Sequence, residues 1–313
     1  MKKIRSAIIV GVLVVACIFL LSFVSSAGTE LSLANGKNGV DISWQEAEAA
    51  LNYEIRRISG DEEVTLGTVD AGVLSFCDES AVSGRKYIYT VRPILENGES
   101  GDIQKNEINY LAAPEITSLL NTPDGARLRW SAVRGAEKYR IYKRAVGEKW
   151  TVLTELDAGN REYFVQVSNG DRFSYAVTAL SGKVKSAYKP TQFDIYLESP
   201  EITSVQNKAD SVEISWTGNS LADGYIIYRS VDSGAWKKVM TVDGAKTVSA
   251  EDPCVSNNKT YQYRVRAFAK KSLGAYDPEG LGVHYLKAPA VSIVNTVNGL
   301  KISWTKTKGA EKY

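Results

Sequence analysis

Apolar residues in this chain fall on alternate positions in short runs, not at helical spacing. Val40-x-Ile42-x-Trp44 alternates apolar and polar. The same pattern returns in Ala126-x-Leu128-x-Trp130, Val212-x-Ile214-x-Trp216 and Leu300-x-Ile302-x-Trp304. The intervening residues include Asp41, Arg127, Arg129, Glu213 and Lys301, so each run predicts a strand with one buried and one wet face. Tyr139-x-Ile141 and Tyr225-x-Ile227 carry the inward set onto a following strand. A second aromatic block recurs as Tyr87-x-Tyr89-x-Val91, Phe173-x-Tyr175-x-Val177 and Tyr261-x-Tyr263-x-Val265. Between these runs lie Asn35-Gly36, Ser83-Gly84, Asp124-Gly125, Asn169-Gly170 and Asn298-Gly299, pairs that favour tight turns. No amphipathic helical stretch of useful length interrupts them. The pattern predicts an all-β chain built of antiparallel sandwiches.

The blocks keep one beat. Trp44, Trp130, Trp216 and Trp304 are spaced 86, 86 and 88 residues apart, and each is followed nine residues later by a tyrosine: Tyr53, Tyr139, Tyr225 and Tyr313. A third block, an apolar pair and then a proline, starts at Tyr110, Tyr196 and Tyr285. Self-similarity at this period predicts tandem units over 29–112, 113–198 and 199–287, then the opening of a fourth over 288–313. That last stretch has too few strands to close a core, so it should be disordered or poorly packed, and the natural protein should continue. Leu111-Ala112-Ala113-Pro114 and Leu197-Glu198-Ser199-Pro200 leave almost no linker between units. Short joints containing proline predict a semi-rigid rod of beads.

At this level the chain resembles the fibronectin type III domain. The apolar-x-apolar-x-Trp strand looks like that family's strand B, and Tyr-x-Ile looks like its strand C. Tyr87 and Tyr261 match the corner tyrosine that opens strand F and bonds back to the preceding turn. Phe173 stands at that place in the second unit, and without a hydroxyl its corner bond should be missing, a loss of about 1 kcal/mol. The resemblance covers 29–313 and implies tandem immunoglobulin-like sandwiches. It says little about activity, because this architecture hosts many unrelated roles.

The N-terminus reads as a targeting segment. Lys2, Lys3 and Arg5 precede an apolar run from Ala7 to Val24, and Ser25-Ser26-Ala27 offers small residues for cleavage. Two readings stay open for residues 1–28: a cleaved signal peptide, or an uncleaved anchor helix over residues 4–24. Both place the remainder outside the membrane, secreted or anchored, with membrane contact only through this segment. Val14-Val15-Ala16-Cys17 is a poor lipobox because apolar residues follow Cys17. Charge is close to balanced, 38 Lys+Arg against 36 Asp+Glu, which argues against nucleic acid as a partner. Nothing in the pattern implies an oligomer.

Candidate chemistry is sparse. His284 is the only histidine, so no Ser-His-Asp triad or two-histidine metal site can be built, and no catalytic, cofactor or metal residue is assigned. His284 reads as an undemanding strand position. Asp61-Glu62-Glu63, after Gly60, clusters acid in a hairpin turn, where solvation is the simpler reading. Cys77 and Cys254 occupy different places in their units and should be free and mostly buried. Trp150 and Trp236 share a register with Val64, which suggests packing over sugar stacking. Tyr142 and Tyr228 share a register with Arg56, opposite the inward tyrosines, and form the one candidate interaction patch.

Two functional readings follow. The first is a non-catalytic spacer or adhesion array at a bacterial surface, with a protein or glycan partner; the composition and repeats resemble exported Gram-positive surface proteins. The second is the non-catalytic spacer region of a longer secreted polysaccharide- or cell-wall-degrading enzyme, because modules resembling these commonly sit beside such catalytic domains.

Overall fold

The computed structural model describes residues 31–192 and 195–313; the signal peptide or anchor expected over 1–28 lies outside the described residues. Every element among the described residues is a strand, and no helix there is long and apolar enough to cross a membrane.

The first sandwich contains β1 (Ser32–Asn35), β2 (Val40–Ser43), β3 (Ala50–Ser59), β4 (Glu62–Asp70), β5 (Ser75–Asp78), β6 (Arg85–Leu95) and β7 (Gln104–Tyr110). They form a three-stranded sheet in the order β1-β2-β5 and a four-stranded sheet in the order β4-β3-β6-β7. The second contains β8 (Ile116–Thr122), β9 (Gly125–Trp130), β10 (Lys138–Ala145), β11 (Thr151–Asp157), β12 (Glu162–Val165), β13 (Phe173–Ser181), β14 (Val184–Lys185) and β15 (Thr191–Gln192). Its sheets run β12-β9-β8 and β11-β10-β13-β14, with β15 also on β13. The third contains β16 (Ile202–Asn207), β17 (Val212–Trp216), β18 (Gly224–Val231), β19 (Lys237–Asp243), β20 (Ser249–Asp252), β21 (Lys259–Ala269), β22 (Ser272–Leu273) and β23 (Leu281–Tyr285). Its sheets run β16-β17-β20 and β19-β18-β21-β22, with β23 also on β21. All pairings are antiparallel, as the fibronectin type III resemblance implies.

Each pair of sheets closes on one core. In the first, Val40, Ile42 and Trp44 meet Tyr53, Ile55, Tyr87, Tyr89 and Val91. Equivalent residues fill the second and third cores. Trp44 lies edge-on to Tyr53 at 5.5 Å, Trp130 to Tyr139 at 5.6 Å, and Trp216 is tilted on Tyr225 at 5.4 Å. The hydroxyls of these tyrosines then accept the N–H groups of Ala47, Val133 and Asn219. An apolar ring with a polar tip therefore fills the core and ties down a loop at once.

Two details escape a period of two. The hairpins β3–β4, β10–β11 and β18–β19 each carry a bulge at the same place, leaving Leu66, Leu153 and Val239 without a pairing partner. These residues pack against the core, and the bulge sets the register of Arg56, Tyr142 and Tyr228 opposite. The corner bond also behaves differently from expectation. Tyr87 accepts from Val82 N at 2.9 Å and Tyr261 from Ser256 N at 2.7 Å. In the second sandwich the equivalent N–H, of Ser168, is not orphaned: Asp171 Oδ2 accepts it at 2.8 Å. A carboxylate two residues upstream replaces the missing phenol. Asp171→Ala should therefore cost the second sandwich about 1 kcal/mol, read as a lower thermal midpoint.

Residues 288–313 form a hairpin that is poorly packed. β24 (Val291–Thr296) and β25 (Gly299–Trp304) pair along their whole length as a hairpin. Trp304, whose counterparts are buried, is 51% exposed, and Val291, Ile293, Leu300 and Ile302 are exposed with it. The local motif persists nonetheless: the Tyr313 hydroxyl accepts from Thr307 N.

Candidate functional site

The outer face of the larger sheet distinguishes the three sandwiches. In the first it is ionic: Arg56 pairs with Glu54 at 2.9 Å and Glu63 at 3.2 Å. In the second and third the same register carries aromatics interleaved with cations. Tyr142 stacks on Tyr188 at 6.4 Å, Tyr188 meets Trp150 at 5.6 Å, and the Arg144 guanidinium lies 4.6 Å above the Trp150 ring. In the third, Tyr228 packs on Tyr276 at 5.8 Å. Arg264 sits between Trp236, at 3.9 Å, and Tyr276, at 5.3 Å, while Arg266 lies 5.4 Å from Tyr276. Tyr142 and Tyr228 are thus half-buried members of a ladder, and Trp150 and Trp236 each have a guanidinium over the ring. Cation–π contacts of this kind contribute about 0.5–1 kcal/mol each when exposed. Burial alone would push the Tyr142 hydroxyl up, but Lys185 and Arg140 beside it hold it below the ordinary phenol range.

Tyr188 and Tyr276 were not singled out from sequence, although a signal exists. Ala187-Tyr188-Lys189-Pro190 and Ala275-Tyr276-Asp277-Pro278 repeat an Ala-Tyr-x-Pro step that the first unit lacks. The step interrupts the last strand and lays its tyrosine on the outer face.

The first and third sandwiches also contain a buried acid cluster. Asp78 Oδ2 accepts from Arg57 at 2.7 Å and from the Tyr89 hydroxyl at 2.8 Å, while Oδ1 accepts from Ser80 N at 3.0 Å. Asp252 repeats this with Arg229 at 2.7 Å, Tyr263 at 2.9 Å and Cys254 N at 3.0 Å. Both carboxylates are 2% exposed or less. Burial pushes the Asp78 carboxyl up, but the hydrogen bonds from Ser80, Tyr89 and Arg57 outweigh it and hold the group below the usual range. Burial and Asp78 push the Tyr89 phenol well above its ordinary value. With its lone pairs committed and water excluded, Asp78 is placed for structure and not for proton transfer. The second sandwich omits the device: Val165 replaces the aspartate and Lys143 the arginine, with the Lys143 ammonium 3.5 Å over the Phe173 ring.

The joints repeat as faithfully as the cores. Ser83 Oγ accepts from Ala112 N at 3.0 Å in the connection and donates to Arg134 O of the next sandwich at 2.8 Å. Gly84 and Gly135 make this approach possible: a Cβ on Gly135 would stand 2.6 Å from the Gly84 Cα. At the next joint Asn169 Oδ1 accepts from Glu198 N at 3.1 Å and from Asn219 Nδ2 at 2.8 Å, and its own amide donates back to Asn219 at 3.2 Å. Asn257 does likewise with Lys287 N and Lys308 O, both at 2.9 Å. A second clasp spans each of the first two joints, Asn35 Nδ2 to Lys185 O at 3.2 Å and Asn121 Nδ2 to Leu273 O at 2.8 Å. Beside the latter lies a groove of about 800 Å3, walled by β8 on one side and by Arg266, Lys271, Leu273 and Tyr276 on the other.

The remaining candidates are unremarkable in placement. His284 is an exposed strand residue whose Nδ1 lies 3.2 Å from Thr260 Oγ1. Gly60 and Asp61 form the solvated β3–β4 turn, with Glu62 and Glu63 opening β4. Cys77 and Cys254 are free, but exposed instead of buried. Cys77 lies on the outward register of β5, and Cys254 follows the end of β20. Partial desolvation and the nearby Asp41 still push the Cys77 thiol up to about 11. Among the described residues no group of three or more His, Cys, Asp or Glu is placed to hold a metal.

The fold and joints define a tandem array of antiparallel β-sandwiches. No protein-family model matches the chain. The amylopullulanase of Thermoanaerobacterium saccharolyticum is 21% identical over 293 residues, a match covering 74% of this chain and 23% of that enzyme. The chain thus spans less than a quarter of that relative's length. Among solved structures, the FN1–FN3 domains of chicken CNTN1 align with 82% of this chain and 97% of theirs, at 14% identity and a TM-score of 0.31. A two-domain fibronectin type III segment of chicken tenascin aligns with 55% of this chain and 97% of its own, at 17% identity and a TM-score of 0.29.

Proposed function

We propose that the chain is a non-catalytic, extracytoplasmic spacer whose sandwiches, over 29–112, 113–198 and 199–287, are held at fixed angles by the repeated joint clasps. The observation that carries this reading is the recurrence of one clasp, Ser83, Asn169 and Asn257, at each successive joint. Each clasp residue binds the connecting backbone and the next sandwich together. A connection designed only as a tether has no use for such bonds. The targeting segment places the array beyond the membrane, and the paucity of nucleophile–base pairs argues against turnover.

A second reading is favoured by the likeness to the amylopullulanase, which spans most of this chain but a minor part of that enzyme. In that reading the array is the spacer region of a larger exported polysaccharide-degrading protein. The first reading is a surface array with its own partner, met through the aromatic faces around Tyr142 and Tyr228.

Small-angle scattering checks the common claim. The wild-type chain should fit a single conformation, whereas Asn169→Ala, which removes both arms of the Asn169 clasp at the second joint, should require an ensemble. Equal flexibility in the two proteins would refute a stiff spacer.

A further inference from the structure

We propose that the aromatic–cation ladders on the second and third sandwiches brace the joints, because each fixes the short hairpin whose carbonyl accepts the clasp from the sandwich before. This rests on the stiff-spacer reading and adds what holds the far end of the clasp still.

The clasps end on weak elements. Asn35 Nδ2 donates to Lys185 O and Asn121 Nδ2 to Leu273 O, and these carbonyls belong to β14 and β22. Each of those strands is two residues long and is held to the strand before it by two register pairs. So short a hairpin has little stability of its own and frays unless packing supports it. A hydrogen bond to a fraying carbonyl cannot fix an angle between sandwiches.

The ladder supplies that packing. Three residues beyond each clasped carbonyl stands the tyrosine of the Ala-Tyr-x-Pro step, Tyr188 after Lys185 and Tyr276 after Leu273. Tyr188 is held between Tyr142 on β10 and Trp150 beside β11, while the Lys185 ammonium lies 5.1 Å over the Tyr142 ring. The sheet order is β11-β10-β13-β14, so these rings tie the hairpin at one edge to the strands at the other. The third sandwich repeats the crossing. Tyr276 meets Tyr228 on β18 and Arg264 on β21, and Arg264 continues to Trp236 beside β19. Arg266 Nε donates to the O of Gly274, the residue after Leu273, at 2.9 Å. A Cβ on Gly280 would stand 3.1 Å from Trp236 Cη2, so the returning chain also lies against that ring. Rings and guanidinium planes hold defined mutual orientations with few rotatable bonds, which suits them to a brace. The ladder occurs in the two sandwiches whose hairpin accepts a clasp from a preceding sandwich; the first has Arg56 and Val64 in the same register.

The test uses the full chain with Cys17→Ser and spin labels on the exposed Cys77 and Cys254, which lie in the first and third sandwiches. Double electron–electron resonance should give one narrow distance in this parent. Trp150→Ala should widen it about twofold, although Trp150 takes no part in the Asn35 bond. Exchange at Ser186 N, bonded to Ala179 O, should quicken about tenfold, while β9, β10 and β13 keep their protection. If those strands lose protection, Tyr188→Ser decides in its place, with the same widening expected, because Tyr188 lies on the irregular segment after β14. Asn35→Ala should widen the distance as well, and adding Trp150→Ala should widen it no further, since both act through one bond. Widths unchanged in Trp150→Ala and Tyr188→Ser, or in Asn35→Ala, overturn the brace and leave the spacer standing. So does a double variant wider than Asn35→Ala alone. A distribution already broad in the parent overturns brace and spacer together.

Discussion

Asp78→Ala is expected to cost the first sandwich about 3 kcal/mol, a large share of the 5–15 kcal/mol that holds a typical domain together. Removing the carboxylate leaves Arg57 half-desolvated with no counter-charge and takes the acceptor from Tyr89 and from Ser80 N. The second sandwich supplies the control, because it folds with Val165 at this position and Lys143 in place of the arginine. The pair Asp78→Val and Arg57→Lys should therefore recover at least half of the loss, since an apolar replacement of a buried ion pair is often near neutral. Urea unfolding followed by amide exchange in β5 and β6 reads both variants. A pH signature accompanies this. Because the folded Asp78 titrates below its unfolded counterpart, its contribution is complete above the ordinary carboxylate range near pH 4. It is lost as pH falls through the lower folded value. Acidification should consequently narrow the gap between wild type and Asp78→Ala.

Trp130→Ala should be as damaging to the second sandwich, at about 3–5 kcal/mol for a large aromatic removed from a packed core. The ring is 3% exposed and supports Tyr139, whose hydroxyl fixes Val133 N. Loss of protection should be confined to β9, β10 and β13, while β17, β18 and β21 keep theirs. Simultaneous loss in both sandwiches would mean that the array unfolds as one cooperative unit, against the separate cores seen here.

What the sequence revealed was what repeats with a simple period. Inward residues such as Ile42, Tyr139 and Val265 stand two apart and recur at one beat, so the strands and cores were legible. Bulged residues such as Leu153 were not, because one extra apolar residue looks like any other in a half-buried strand. The joint clasps escaped because Ser83 and Asn169 serve equally well as turn formers, and only the folded chain brings Arg134 and Asn219 to them. Phe173 misled for a related reason. Its missing hydroxyl was visible in the sequence, whereas the rescue by Asp171 depends on loop geometry. Tyr142 and Tyr228 share the register of Arg56 in the sequence, but the aromatics and cations that half-cover them come from segments up to 48 residues away, such as Tyr276 on Tyr228. Cys77 and Cys254 look like small core residues by composition alone; their exposure follows from the register of β5 and the end of β20.

That exposure supplies the most direct test of the stiff spacer. Cys77 and Cys254 lie in the first and third sandwiches, so two joints separate them. With Cys17 replaced by serine, both can take a methanethiosulfonate spin label, with labelling at raised pH to offset the high Cys77 pKa of about 11. Double electron–electron resonance then reports the distance across both joints. Fixed clasps predict one narrow distance, broadened in Asn169→Ala; a broad wild-type distribution, no wider in the variant, would contradict the account.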